Sequence, residues 1–265
     1  MPGSANTNVK ARPHARPLYV EVTIDAPLDR IWELTQSPHL HQRWDARFSR
    51  IAYGDVEADA NANAGDNDSH GTTGAVRFHY RLGVGPVGGR GPALTGNGIT
   101  TAERRRADGA RISALRFASD SRWSPLQEGT GYWRYVPEAG QVRFLTGYDY
   151  RTWPGRSAGR LDRYVIRPWV GWLTAWSFDR LRLWAELGIT PERSRRNAWF
   201  DATARTAAVL AVAAVAGLLP ALGTALMVSL LPPLPTTPAA RRCVRKPPDP
   251  KSARPPGALA RLARP

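Results

Sequence analysis

Leu18 to Asp25, LYVEVTID, sets Leu18, Val20, Val22 and Ile24 on one face and Tyr19, Glu21, Thr23 and Asp25 on the other. That two-residue period predicts a half-buried strand. Asp25-Ala26-Pro27 ends it and opens a helix, with Asp25 as N-cap, Pro27 in the first turn, and Ile31, Trp32 and Leu34 on its apolar side. Ser37-Pro38 opens a second short helix that runs to Trp44, where the tryptophan anchors against a sheet. A strand follows at Phe48–Tyr53, then the small, polar stretch Glu57–Gly74 reads as a surface loop. Ala75–Leu82 alternates again, with Val76, Phe78, Tyr80 and Leu82 opposed to Arg77, His79 and Arg81. Beyond a Gly/Pro-rich link, Gly83–Gly98, two hairpins are predicted. Ile99–Ala107 and Ala110–Ala118 flank Asp108-Gly109, and Thr130–Val136 and Gln141–Tyr150 flank Pro137–Gly140. From Ser157 to Leu187 the period becomes three to four residues, the mark of a helix, with Pro168 as its kink or its true start. Gly188 caps it and Pro191 stops it.

A different pattern begins at Ala207. The 25 residues to Leu231, AAVLAVAAVAGLLPALGTALMVSLL, contain no charge. As one helix they extend about 37 Å, enough to cross a hydrocarbon layer of roughly 30 Å once but not twice. Gly217, Pro220 and Gly223 interrupt the run. Cations stand on both sides, Arg193, Arg195, Arg196 and Arg205 before it and Arg241, Arg242, Arg245, Lys246 and Lys251 after it, so charge alone does not orient a crossing, and a run folded back as a re-entrant or surface element would bring both basic flanks to anionic headgroups. The expected organisation is a disordered N-terminus (1–16), a folded domain (17–190), a basic linker (191–206), a transmembrane helix (207–231) and a disordered Pro/Arg-rich tail (232–265). A membrane-associated chain with its folded domain in the cytoplasm follows, since residues 1–16 carry no secretory h-region.

Composition narrows the chemistry. The formal net charge is +15, but with lysine only at positions 10, 246 and 251, nearly all of the 37 cations are Arg. Arg104-Arg105-Arg106 is the one run, and on a hairpin it alternates faces, so nucleic acid is not an expected partner. A single cysteine, Cys243, excludes an internal disulfide, and the five histidines show no ligand spacing, so neither metal nor cofactor is expected. His39 and His41, two apart on a short helix, face different directions and read as surface residues.

Strand, two short helices, a run of antiparallel strands and a long helix is the element order of the helix-grip fold. The opening VEVTIDAPLDRIWELTQSPHLHQRW resembles the first segment of the START-like (SRPBCC) superfamily, which includes polyketide cyclases and lipid-transport proteins. The resemblance covers about residues 17–187. It implies an α+β domain in which a curved antiparallel sheet of six to seven strands grips the long helix and leaves a cavity for an apolar ligand. The expected walls are Val76, Phe78, Tyr80, Tyr132, Phe144, Tyr148 and Tyr150 from the sheet, with Tyr164, Trp169, Trp172 and Trp176 from the helix. Candidate chemistry rests on Tyr132, Arg134 and Tyr148, a Tyr to donate a proton and an Arg to hold an enolate, with Glu103, Arg116 and Asp149 on neighbouring strands. By strand parity these supply no converging acid–base pair. The leading expectation is binding or presentation of a hydrophobic small molecule (lipid, quinone or polyketide-like) at the membrane. A cyclase or dehydratase-type enzyme and an interaction module with a filled core are the alternatives, and sequence does not fix the oligomeric state.

Overall fold

The computed structural model describes residues 17–56, 72–83, 93–103, 107–121, 124–250 and 252–262. Seven antiparallel strands form one sheet in the order β1-β7-β6-β5-β4-β3-β2. They are β1 (Leu18–Ile24), β2 (Phe48–Val56), β3 (Thr72–Gly83), β4 (Ala93–Glu103), β5 (Arg111–Ser119), β6 (Glu128–Glu138) and β7 (Gln141–Arg151). Helices α1 (Leu28–Gln36) and α2 (Pro38–Trp44) carry the chain from one sheet edge to the other. A long helical stretch, α3 (Arg156–Leu161), a π-turn (Asp162–Ile166) and α4 (Arg167–Leu187), lies in the grip of the sheet. This is the helix-grip architecture, reached from strand order and helix placement. The N-terminus expected to be disordered, the expected loop up to residue 71 and Arg104–Arg106 lie outside the described residues.

The inner face of the sheet packs on α4 through rings. Trp44, Phe144 and Phe178 are fully buried, with Phe144 stacked on Phe178 at 4.6 Å and Trp44 edge-on to both. Trp44 is the expected anchor, and its Nε1–H donates to the Leu34 carbonyl at 2.9 Å, so its polar atom is satisfied. Pro168 is the second residue of α4 and follows the π-turn directly in a continuous helical stretch, so its missing N–H falls where the helix is already locally widened, and Gly188 takes the left-handed cap at φ 64°.

Several boundaries differ from expectation, each for a physical reason. Asp25 does not cap α1: Pro27 holds that position, and the Asp25 N–H donates to Glu186 Oε1 at 2.9 Å. The stretch read as a Gly-rich link contains the first half of β4. A Cβ on Gly96 would stand 2.3 Å from Tyr80 Oη, and one on Gly98 would stand 2.2 Å from Phe78 Cζ. These glycines let the rings of β3 lie across β4, so they mark close approach and not a turn.

Pro191 does not stop the chain but opens α5 (Pro191–Ala216), with Thr190 as N-cap accepting from the Arg193 N–H at 3.3 Å. The expected linker 191–206 is therefore helical, and the apolar run is divided. Gly217, at φ 87° and ψ −176°, ends α5 and starts α6 (Leu218–Leu230), which packs back along it. That backbone conformation is open to glycine and costly for other residues.

The tail, expected to be disordered, is docked. Val244 and Glu21 exchange backbone hydrogen bonds of 2.9 Å in both directions, which covers the free edge of β1. Cys243 is buried, with Sγ 3.2 Å from the Ala175 carbonyl. A last short helix, α7 (Gly257–Arg261), brings Ala258 and Leu262 onto Ile99 and Ala114 on the outer face of the sheet. This packing explains why both faces of β1 are buried, with Tyr19 and Glu21 as well hidden as Val20 and Val22.

Candidate functional site

Between the first half of α4, the end of α2 and the concave face of the sheet lies a cavity of about 180 Å³. Its walls are mostly apolar: Phe48 and Ile51 from β2, Phe78 and Tyr80 from β3, Phe117 from β5, Trp133 from β6 and Leu173 from α4. Trp169 lines the cavity and is also 57 % exposed, which places it at the mouth, with Pro125 and Leu126 in the same lining.

Polar groups gather at one end. Asp45, just past α2, is fully buried and takes Arg47 Nε at 2.9 Å and Nη2 at 2.6 Å on its two oxygens. It also accepts the Arg47 backbone N–H at 3.1 Å. His41, one helical turn earlier, brings Nε2 to 3.2 Å from Asp45 Oδ2. Burial would raise the Asp45 carboxyl, but the charge and hydrogen bonds of Arg47, helped by His41, hold it well below the usual carboxylate range. Burial lowers His41 more than Asp45 raises it, so the ring is neutral and its Nε2–H donates to the carboxylate. The ring is stacked on Trp44 at 5.0 Å and stands edge-on to Trp133 at 4.8 Å.

The Arg47 guanidinium, fixed by this carboxylate, lies 5.5 Å from the ring centres of both Phe48 and Tyr148. Burial pushes the Tyr148 phenol upward, against the pull of Arg47. The direction of its proton follows from its neighbours. Thr174 gives its only hydroxyl proton to the Val170 carbonyl at 2.8 Å, so at 2.8 Å it accepts from Tyr148. The result is a directed chain from Tyr148 through Thr174 to a helix carbonyl. The Tyr148 proton is committed inside the protein and is not aimed into the cavity.

The expected wall residues divide. Phe78, Tyr80, Tyr148 and Trp169 line the cavity. Val76 shares the strand face of Phe78 and Tyr80 but lies outside the lining. Phe144 faces inward but fills the core against Phe178, and Tyr150 is spent donating to Asp162 Oδ1 at 2.8 Å. Tyr164 and Trp172 are exposed on the far side of the helical stretch, and Trp176 stacks on Trp172 at 6.4 Å. Tyr132 is a correction. The register pairs Tyr148 with Gly131 and Tyr132 with Gly147, so it is Trp133 that points inward. Tyr132 and Arg134 face the docked tail and donate to the carbonyls of Ser252, at 3.3 Å, and Arg254, at 2.9 Å. Arg116 likewise reaches the Leu259 carbonyl, and Asp149 pairs with Arg167. The Glu103 side chain lies outside the described residues.

Among the lining residues missed by sequence are His41, Arg47, Phe48, Phe117, Trp133 and Leu173. The signal for the first two was present: His41 and Asp45 stand four apart at the end of a helix, with Arg47 two further on, whereas reading His41 against His39 hid that pairing.

No family model matches this chain. It is 39% identical over 184 residues to the uncharacterized membrane protein YndG of Bacillus subtilis (strain 168), an alignment that covers 69% of this chain and 62% of that protein. The chain thus spans less than two thirds of that relative. Among solved structures, it is similar to the Zhui aromatase/cyclase of Streptomyces sp. R1128 at 16% identity, covering 64% of this chain and 98% of that one, with a TM-score of 0.38. It is also similar to a STAR-related lipid transfer protein of Xanthomonas axonopodis at 15% identity, covering 66% and 88%, with a TM-score of 0.41. Scores below 0.5 carry no functional argument.

Proposed function

We propose that this protein binds and presents a hydrophobic small molecule, a lipid, quinone or polyketide-like compound, which it exchanges with a membrane from the cytoplasmic side. The observation that carries the reading is the cavity itself: an apolar, ring-lined void with a single charged end, where Arg47 is held by Asp45 between two aromatic faces. Its volume limits the ligand. An apolar cavity of about 150 Å³ holds a benzene ring, so about 180 Å³ accepts one ring system and not a whole two-chain lipid. A ring bearing an oxygen or an anionic group suits this site, with the oxygen toward Arg47 and any chain leaving past Trp169. The void counts against an interaction module with a filled core. Binding is favoured over cyclase-type catalysis because Tyr148 and His41 both point their protons at protein acceptors.

The test uses naphthalene-1-sulfonate, one aromatic ring system with an anionic head, titrated into the full chain and read against a blank of the same detergent without protein. We expect saturable fluorescence that Leu173→Trp, which occupies the cavity, abolishes. Equal probe uptake by the wild type and Leu173→Trp would overturn the assignment of the cavity.

A further inference from the structure

We infer that the α5–α6 hairpin enters one leaflet of a membrane and returns to the side it came from, without crossing. The inference is independent of the cavity, since a chain with no ligand would insert the same way.

The two ends of the apolar run are tied to the same domain. Before it, Pro191 is buried and Glu192 takes two hydrogen bonds from Arg43, at 2.9 and 3.0 Å. After it, the Ala239 N–H donates to Asp179 Oδ2 at 2.7 Å, Arg242 reaches the same oxygen at 2.9 Å, and Val244 pairs with Glu21. A single crossing would place residues 190 and 239 on opposite sides of a bilayer. The docked tail forbids it.

The hairpin is also clipped at its base. Asn197 Nδ2 donates to the Thr236 carbonyl at 3.0 Å. Arg205 donates to the carbonyls of Val228, of Leu231 at 3.3 Å and of Pro232 at 3.1 Å, while its Nε donates to Asp201 at 2.8 Å. This arginine both caps the end of α6 and is neutralised where the apolar part begins. Beyond it no charged residue occurs until Arg241.

Length then sets the depth. Although α5 has 26 residues and is long and apolar enough by composition to span, the part up to Arg205 carries Glu192, Arg193, Arg195, Arg196, Asp201 and Arg205. The uncharged arm 206–216 rises only about 16 Å, and the 13 residues of α6 about 20 Å. Each matches half of a hydrocarbon layer of roughly 30 Å and falls short of the whole. The outward faces suit that surrounding: Leu210, Val215, Leu218, Leu219, Leu222 and Leu226 are each more than half exposed. At the base, exposed Trp199 and Phe200 sit among Arg193, Arg195 and Arg196, the composition of an interface with anionic headgroups. A hairpin also resolves the charge balance. Basic flanks on both sides of the run conflict for a crossing helix and agree when both lie in one compartment.

The experiment is a depth scan of the full chain in vesicles of phosphatidylcholine and phosphatidylglycerol (3:1). Nitroxides are placed singly at Ala208, Val215, Leu219 and Leu226 in a Cys243→Ala background, and collision with oxygen is compared with collision with a water-soluble nickel chelate. Depth should rise from 208, peak at 215–219 and fall again by 226 without reaching the far leaflet. An impermeant maleimide added outside should label cysteines placed at Asn197 and Thr236 alike. Arg195→Ala with Arg196→Ala should lower partition on the order of tenfold, and only on anionic vesicles. Depth that increases steadily through the midplane, with 197 and 236 on opposite sides, would overturn the inference. So would absence of vesicle binding, or hairpin sites shielded by a second copy of the chain in lipid-free solution.

Discussion

Replacing Arg47 by methionine removes the one cation that the buried Asp45 carboxylate touches among the described residues, while keeping an unbranched apolar stem. Asp45 is fully buried and accepts two charged hydrogen bonds from that guanidinium, at 2.9 and 2.6 Å. Stranding one partner of a buried pair costs about 3–5 kcal/mol, a large part of a typical stability of about 5–15 kcal/mol. The pH dependence gives a sharper test than the size. In the wild type, Asp45 has a carboxyl held below its unfolded value, so its contribution is fully present above about pH 4 and is lost as pH falls further. In Arg47→Met, burial is opposed only by the weaker pull of His41, and the folded state must take up a proton, on Asp45 or on His41 beside it. A group with a raised folded pKa loses its stabilising effect as pH rises. The gap between wild type and variant should therefore be widest near pH 7 and narrow toward pH 4.5. Urea unfolding of the full chain in a mild detergent, followed by far-ultraviolet circular dichroism at the two pH values, measures it. The double variant Arg47→Met, Asp45→Asn should recover more than half of the loss at pH 7, because it removes the stranded charge. A gap that is the same at both pH values, or a double variant as unstable as the sum of the singles, would refute the assignment of Arg47 and Asp45 as a coupled buried pair.

Further outcomes follow from the docked tail and the directed proton chain. Burial pushes the Cys243 thiol up to about 12, so Ellman's reagent should label it only as fast as the tail detaches, and rapid labelling of native protein would show a free tail. Asp179→Ala, which removes the acceptor of Ala239 and Arg242, should cost about 2–4 kcal/mol and accelerate that labelling at least tenfold. Tyr148→Phe should weaken ligand retention only severalfold, because its hydroxyl serves Thr174, and Arg134→Ala should leave the cavity untouched. Loss of a turnover activity with full ligand retention in Tyr148→Phe would instead favour the cyclase-type reading. Phe178→Ala should destabilise by about 3–5 kcal/mol, measured by the same urea titration, since its ring is fully buried against Phe144 and Trp44.

The framework of the domain was readable because its determinants are local. The alternation in β1, the Pro38 helix start, the Asp108-Gly109 turn and Gly188 each act through their own backbone. The site was less readable, because it depends on partners far apart in sequence. Tyr132 and Trp133 are adjacent rings, and alternation alone does not say which points inward when a tail covers the opposite face. That tail has the composition of a disordered segment, yet it is held by contacts to Glu21, Asp179 and Ala175 that no local pattern reveals. The glycines of β4 were read as loop formers because the rings that need their space, Phe78 and Tyr80, lie on another strand. The apolar run matched a spanning helix in length, and only the turn at Gly217 with the Arg205 contacts reveals the reversal.

The central claim, that the aromatic cavity holds a ring-bearing hydrophobic ligand, is tested most directly by native mass spectrometry of the full chain released from detergent after exposure to a total lipid extract. The account predicts one discrete added mass, bound one per chain, present in the wild type and absent in Leu173→Trp. A bare protein mass in both, or the same adducts in both, would contradict it.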